Sequence, residues 1–318
     1  MFKIRYHNLP KISAHQFFSC IRNLSKPKPG FCRYSSRNAH DFEPVKLAYS
    51  SYESTDLNEI NGSKYPVVIM HGLLGSKNNW NSLSKAIHSR TKHKIIAVDV
   101  RNHGDSPQTS EFNYTCLAED IRELMADLNI KKINAVGHSL GGRAMMFLAL
   151  KYPQLINSLI VVDISPVRTS PAIIELNEMF NAMLSVKLED NIPLSAARNI
   201  VDKQISDVIP DPYLRQFLLT NLVEVEGHFK WRVNLESFIN NFASIINFQP
   251  PSGKYRGPVL FIGGSQSTYL LEEDHKGILQ LFPKSQFQYI QGAGHWVHSE
   301  KPAEFLDLVC EFLLKLDK

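Results

Sequence analysis

Acidic residues are missing from the first forty positions of this 318-residue chain; the first is Asp41. The same stretch carries eight basic residues, Lys3, Arg5, Lys11, Arg22, Lys26, Lys28, Arg33 and Arg37, with Ser13, Ser19, Ser25, Ser35 and Ser36 among them. It also lacks the continuous apolar core of a secretory signal, and this composition predicts a mitochondrial transit peptide over 1–40, processed near Cys32-Arg33-Tyr34-Ser35-Ser36-Arg37. The formal net charge of +4 therefore belongs to the tail: without it, 27 basic residues face 31 acidic ones. A mildly acidic body argues against nucleic acid as a partner. Long apolar runs are missing too. The run Ala144 to Leu150 is far short of the ~20 residues of a spanning helix, so no transmembrane segment is expected. Cysteine is scarce. Cys20 and Cys32 lie in the tail, Cys116 and Cys310 lie far apart, and neither a disulfide framework nor a metal site follows. No G-x-G-x-x-G or P-loop occurs, so no nucleotide is implied and no cofactor is expected. Asn61-Gly62-Ser63 and Asn113-Tyr114-Thr115 match the glycosylation pattern, but without a secretory signal they read as chance matches.

What is present is an alternation of strands and helices. Val67–Met70, Ile95–Val100, Ile133–Val136, Leu159–Ile164, Val259–Ile262 and Phe287–Ile290 are short, almost wholly apolar strand candidates. Helical spacing marks Thr115–Leu128, Arg143–Lys151 and Pro302–Leu314. Apolar strands separated by helices predict an α/β protein with a mostly parallel sheet covered on both faces. Between Ser165 and about Gly257 no clear strand is visible. Helical stretches over 173–184, 194–208 and 212–223, punctuated by Pro193, Pro210 and Pro212, predict a helical lid inserted before the penultimate strand. The expected organisation is a tail over 1–40, a core over 41–165 and 257–318, and a lid over 166–256.

The stretch Gly137-His138-Ser139-Leu140-Gly141 joins a strand to a helix. A sharp turn there crowds the positions two residues either side of its apex, which small residues relieve, and it lifts the apex hydroxyl clear at a helix N-terminus. This is the G-x-S-x-G nucleophile elbow, and it makes Ser139 the candidate nucleophile. A serine hydroxyl needs a base and the base needs an orienting acid. His295, in the loop after the last strand, is the expected base, with His298 as its rival. His138 is expected to pack, and His71 and His103 to shape loops. The tetrahedral intermediate needs N–H donors; the backbone of Leu140, and of Leu73 in His71-Gly72-Leu73-Leu74-Gly75, are the candidates. Phe180, Met183, Phe217 and Phe238 are expected to build an apolar substrate pocket under the lid.

HGLLG, DVRNHG, GHSLGG, the lid and GAGHW, in that order, resemble the α/β-hydrolase superfamily over roughly 45–315. Within it HGLLGSKNNW, VDVRNHGDSP, VVDISPV, WRVNLE and GAGHWVHSEKP resemble a branch of mitochondrial hydrolase-domain proteins and bacterial esterases. The superfamily's commonest pattern puts its acid after the strand 259–262. Here Gly263-Gly264-Ser265-Gln266-Ser267 follows, with no carboxylate before Glu272. Some branches take the acid from the strand end where Asp163 stands; Glu236, in WRVNLE, matches a family carboxylate that has also been given the role. Asp163 is favoured, because a strand end places a carboxylate more rigidly than a lid. A purely structural Asp163 would instead hold the loop at Ser165-Pro166. The resemblance implies an acyl ester or acylglycerol substrate cleaved through an acyl-enzyme, the mitochondrial matrix, and association with the 2-oxoglutarate dehydrogenase complex, protecting its lipoyl groups. Two rival functions stay open: a non-catalytic binder on a hydrolase fold, and a cofactor-free peroxidase with the same triad. An elbow serine in place of aspartate argues against epoxide hydrolases and dehalogenases.

Overall fold

Short runs rich in Val and Ile lay down the centre of the fold. The computed structural model describes residues 43–54 and 64–317. The basic tail with Cys20, Cys32 and its processing segment, and the Asn61-Gly62-Ser63 sequence, lie outside them. In chain order come β1 (Tyr49–Tyr52), β2 (Val67–Met70), α1 (Asn81–Thr91), β3 (Ile95–Val98), α2 (Tyr114–Asp127), β4 (Ile133–His138), α3 (Leu140–Lys151) and β5 (Ile156–Val162). After an insert, β8 (Val259–Gly264), β9 (Ser285–Ile290) and a closing helix complete the core. The sheet runs β1-β3-β2-β4-β5-β8-β9. Within this sheet, among the described residues, only the β1–β3 pair is antiparallel.

Period-two alternation splits the apolar side chains between the faces of this sheet. Val68 and Met70 of β2, with Ile96 and Val98 of β3, join one core with α2, α3 and the insert. Val67, Ile69, Ile95 and Ala97 join the other, against α1 and the closing helix. A parallel sheet buried on both faces needs this double core, which is why β2, β3 and Val259–Ile262 of β8 read as unbroken apolar runs. The two faces also explain why β1 is hard to read in the sequence: Tyr49-Ser50-Ser51-Tyr52 is a half-exposed edge strand without an apolar face.

The insert carries α4 (Glu175–Ser185), α5 (Leu194–Ile205), α6 (Pro212–Leu219), β6 (Leu222–Val225), β7 (His228–Trp231), α7 (Leu235–Asn240) and α8 (Phe242–Ile246). The helix expected over 212–223 ends at Leu219, and β6 pairs antiparallel with β7 across Glu226-Gly227. Glu226 and Gly227 both hold positive φ, the backbone of a two-residue hairpin turn. A Glu-Gly pair is a weak sequence signal for it beside Asn-Gly. Beyond the insert, α9 (His275–Leu281) separates β8 from β9, and α10 (Val297–Glu300) and α11 (Pro302–Leu316) close the chain. No helix among the described residues is long and apolar enough to cross a membrane.

Candidate active site

Ser139 stands between β4 and α3 at φ 53°, ψ −117°, a conformation few non-glycine residues adopt. The two flanking glycines are required by close approach. A Cβ on Gly137 would overlap the Gly141 carbonyl, and one on Gly141 would overlap the Met70 carbonyl at the end of β2. The serine is thus held over the carboxyl edge of the sheet, at the N-terminus of α3.

The loop after β9 brings His295 to it. His295 Nε2 lies 3.1 Å from Ser139 Oγ, and His295 Nδ1 lies 2.7 Å from Asp163 Oδ2. This geometry sets the tautomer: Nδ1–H donates to the carboxylate, leaving the Nε2 lone pair to accept the serine proton. Asp163 directly follows β5, is fully buried and has φ 49°. Its Oδ1 accepts from the Gly264 amide at 3.1 Å, and its Oδ2 also accepts a hydrogen bond from Ser267 Oγ. A buried carboxylate needs such partners. The end of β8 supplies an amide, and the acid-free loop after it a hydroxyl, to the acid standing one strand away. Glu236 is exposed in the first turn of α7 and makes no hydrogen bond to His295 among the described residues.

The other histidines form a buried frame. His138 Nε2 lies 2.9 Å from the His295 carbonyl, so this residue packs against and braces the base. His71 Nε2 accepts from the Val100 amide, and His103 Nε2 from the Leu74 amide. His298 does not reach Ser139; it stacks on Trp80 at 4.4 Å. Burial lowers the pKa of all four, with neighbouring histidines adding to the effect for His103, His138 and His298; His298 is pushed down to about 3. They are neutral spacers at neutral pH. Features that sequence reasoning passed over hold His295 from its flanks. The Tyr269 ring stacks on it at 3.8 Å, and Glu300 accepts from the amides of Gly294 and Trp296 on either side. Glu300 sits six residues from Gly294 in a turn-rich loop, a spacing that carries no motif.

The Leu140 amide opens α3, where first-turn N–H groups have no intrahelical acceptor. Leu73 and Leu140 both line a cavity of about 550 Å³ that reaches Ser139 and His295. Its apolar wall comes from the core through Ile164 and Trp296, and from the insert through Leu176, Met179, Leu214 and Phe217. Of the four expected pocket residues only Phe217 lines it. Phe180, Met183 and Phe238 are fully buried within the core. On α4 all four positions share one face at i, i+3 and i+4 spacing; Leu176 and Met179, one turn earlier, reach the cavity, while Phe180 and Met183, one turn on, are packed into the core, a difference that periodicity cannot resolve. No group of three or more metal-ligating side chains occurs among the described residues.

A strained serine at the carboxyl edge of a mostly parallel sheet, paired with a histidine from the loop after the last strand, defines a class. The chain belongs to the α/β-hydrolase fold family, whose signature matches residues 65–199. It is 41% identical to the sn-1-specific diacylglycerol lipase ABHD11 of Mus musculus, over 93% of this chain and 94% of that protein. It is 33% identical to esterase YbfF of Escherichia coli, over 81% of this chain and 96% of that one. Among solved structures it is similar to a marine microorganism esterase, with a TM-score of 0.74 and 30% identity, covering 84% of this chain and 99% of that one. It is a hydrolase of the lipase and esterase type.

Proposed function

We propose that this protein is a serine hydrolase that cleaves neutral carboxylic esters through an acyl-enzyme. The observation that carries the reading is the unbroken chain from Ser139 Oγ to His295 Nε2, and from His295 Nδ1 to Asp163, at 3.1 and 2.7 Å. Ser139 Oγ attacks the ester carbonyl while His295 takes its proton. The oxyanion is held by the Leu73 and Leu140 amides. His295 then gives the proton to the departing alkoxide, and water, activated by the same imidazole, releases the acid from Ser139. Asp163 stays ionised and stabilises the imidazolium. The insert acts as the lid, and its apolar wall takes the acyl chain. The ABHD11 relative is named for diacylglycerol. An acylglycerol has the neutral polyol ester and apolar chain that this cavity suits, and is the proposed substrate class.

The test is labelling with a serine-directed fluorophosphonate. The native protein is expected to label and to hydrolyse short esters, and Ser139→Ala to lose both, leaving only residual catalysis by the amides. Turnover retained in that variant would overturn the serine-hydrolase reading, and a native protein that neither labels nor turns over would favour a binding role. The tail composition and the family resemblance extend the proposal to the mitochondrial matrix and to the 2-oxoglutarate dehydrogenase complex. Co-purification of that complex with tagged protein from isolated mitochondria tests the second part.

A further inference from the structure

Leu74 is an unlikely residue for its place. It is the third residue of a turn closed by the Gly75 amide on the Gly72 carbonyl at 3.0 Å, and its φ is 63°. Glycine or asparagine is usual where a turn demands positive φ, and a leucine there is strained. Something else must hold it. On one side, the Leu74 N–H donates to His103 Nε2 at 3.0 Å. The His103 ring is locked in the matching tautomer, because its Nδ1 lies 3.0 Å from the Arg101 carbonyl and must donate there. On the other side, the Leu74 carbonyl accepts from Asn221 Nδ2 at 2.8 Å. Both bonds are buried, as are His103 and Asn221.

The two holders come from different parts of the fold. His103 belongs to the loop after β3, on the core. Asn221 belongs to the insert, and its backbone is fixed there: its amide donates to the Leu218 carbonyl and its carbonyl accepts from Arg232. Leu214, Phe217 and Leu218, on the helix just before it, line the cavity. The peptide that offers the Leu73 N–H immediately precedes the one whose N–H His103 holds.

We infer that His103 and Asn221 are positioning residues that clamp Leu74 from core and lid together, so that the lid, once seated, sets the Leu73 amide for the oxyanion. The clamp rests on the hydrolase reading above and adds the coupling between lid and chemistry. With Asn221 in place the turn keeps the strained conformation. Without it, the Leu74 peptide can rotate toward relaxed backbone and carry the Leu73 N–H off the line to the oxyanion. Because the interaction matters most when negative charge develops, its loss falls on kcat more than on KM.

The experiment compares native protein, Asn221→Ala, His103→Leu and His103→Gln on a soluble ester. It also measures inhibition by a trifluoromethyl ketone, whose hemiketal carries an oxyanion, and by the matching alcohol, which does not. Removing an oxyanion donor outright costs about 10²–10³ in kcat, so misaligning one is expected to lower kcat by about tenfold or more in Asn221→Ala. KM and alcohol affinity should stay within about twofold, and ketone affinity should fall in step with kcat. His103→Gln, which keeps an acceptor oxygen for the Leu74 amide, should retain more activity than His103→Leu. Thermal melts identify a variant that has unfolded, and Asn221→Ala, on the insert, serves if the His103 variants do. Unchanged kcat and ketone affinity in a folded Asn221→Ala would overturn the clamp while leaving the hydrolase standing. Equal loss of alcohol and ketone affinity would also overturn it, as the mark of a damaged cavity. A native protein with no Ser139-dependent turnover would take both readings down.

Discussion

Asp163 shows how much one residue's surroundings decide. Three donors converge on its carboxylate, from Gly264, Ser267 and His295. Its own amide is tied to Ile262 of the adjacent strand at 2.8 Å. The orientation of His295 therefore rests on sheet geometry, held to the tolerance that base catalysis needs. Asp163→Asn keeps the shape but lets the amide favour the wrong imidazole tautomer, and kcat should fall by about 10³ to 10⁴. Glu236→Gln, exposed on α7, should change kcat less than about threefold, in the range of a surface substitution. Steady-state kinetics on the two purified variants, at matched thermal stability, decide the matter. A crippled Glu236→Gln beside an active Asp163→Asn would reverse the assignment. Asp163 was only half legible in the sequence. A lone carboxylate closing an apolar strand marks it as a buried charge needing partners, but nothing in GGSQS says that Gly264 and Ser267 would turn toward it.

At the scale of elements, the loops at the carboxyl edge carry an unusual load of neutral histidine. His298 on α10 is the plainest case, with Nδ1 buried and without a hydrogen-bond partner among the described residues, and its ring stacked flat on Trp80. Burial, with His295 adding, holds its pKa at about 3 against 6.5 for a free histidine. Below pH 6.5 the unfolded chain binds a proton there that the folded chain refuses. Its contribution to stability is therefore complete above about 6.5 and is lost progressively as pH falls toward 3. His298→Phe preserves the stacking and removes the titration. Over that window, its unfolding free energy should depend on pH less steeply than the native protein's, by up to about 1.4 kcal/mol per pH unit. Urea titrations at pH 7, 6, 5 and 4 read the difference; parallel curves for the two proteins would refute it. The elements themselves were legible where one physical rule acted alone. The β2, β3 and β8 runs are apolar because both faces are buried, and Gly137 and Gly141 are glycine because backbone approaches them. The β6–β7 hairpin was not legible, since its strands are short and largely exposed and its turn is Glu-Gly. Nor was the turn of α4 that reaches the cavity, which depends on how far along the helix the insert meets the core.

Across the whole molecule, the cavity belongs to two parts of the chain at once. The core brings Ser139, His295 and the two amides; the insert brings most of the apolar wall. The α/β architecture and the elbow could be read from local patterns, whereas a wall assembled from residues 164, 176, 214 and 296 depends on contacts far apart in sequence. Its consequence is measurable. Each methylene of an acyl chain that moves from water into the wall gains about 0.8 kcal/mol, close to fourfold in kcat/KM if the transition state keeps it. A series of p-nitrophenyl esters lengthened two carbons at a time should therefore climb by roughly an order of magnitude per step. The climb should stop once the chain fills about 550 Å³, since further carbons then lie in solvent. Leu214→Ala and Phe217→Ala, which shorten the wall contributed by α6, should flatten the climb and move its end to longer chains. Ser139 labelling should persist in both, because neither residue belongs to the hydrogen-bonded chain Ser139–His295–Asp163. A flat series in the native protein would mean that the acyl group does not enter this cavity, and that the apolar wall serves the alcohol instead.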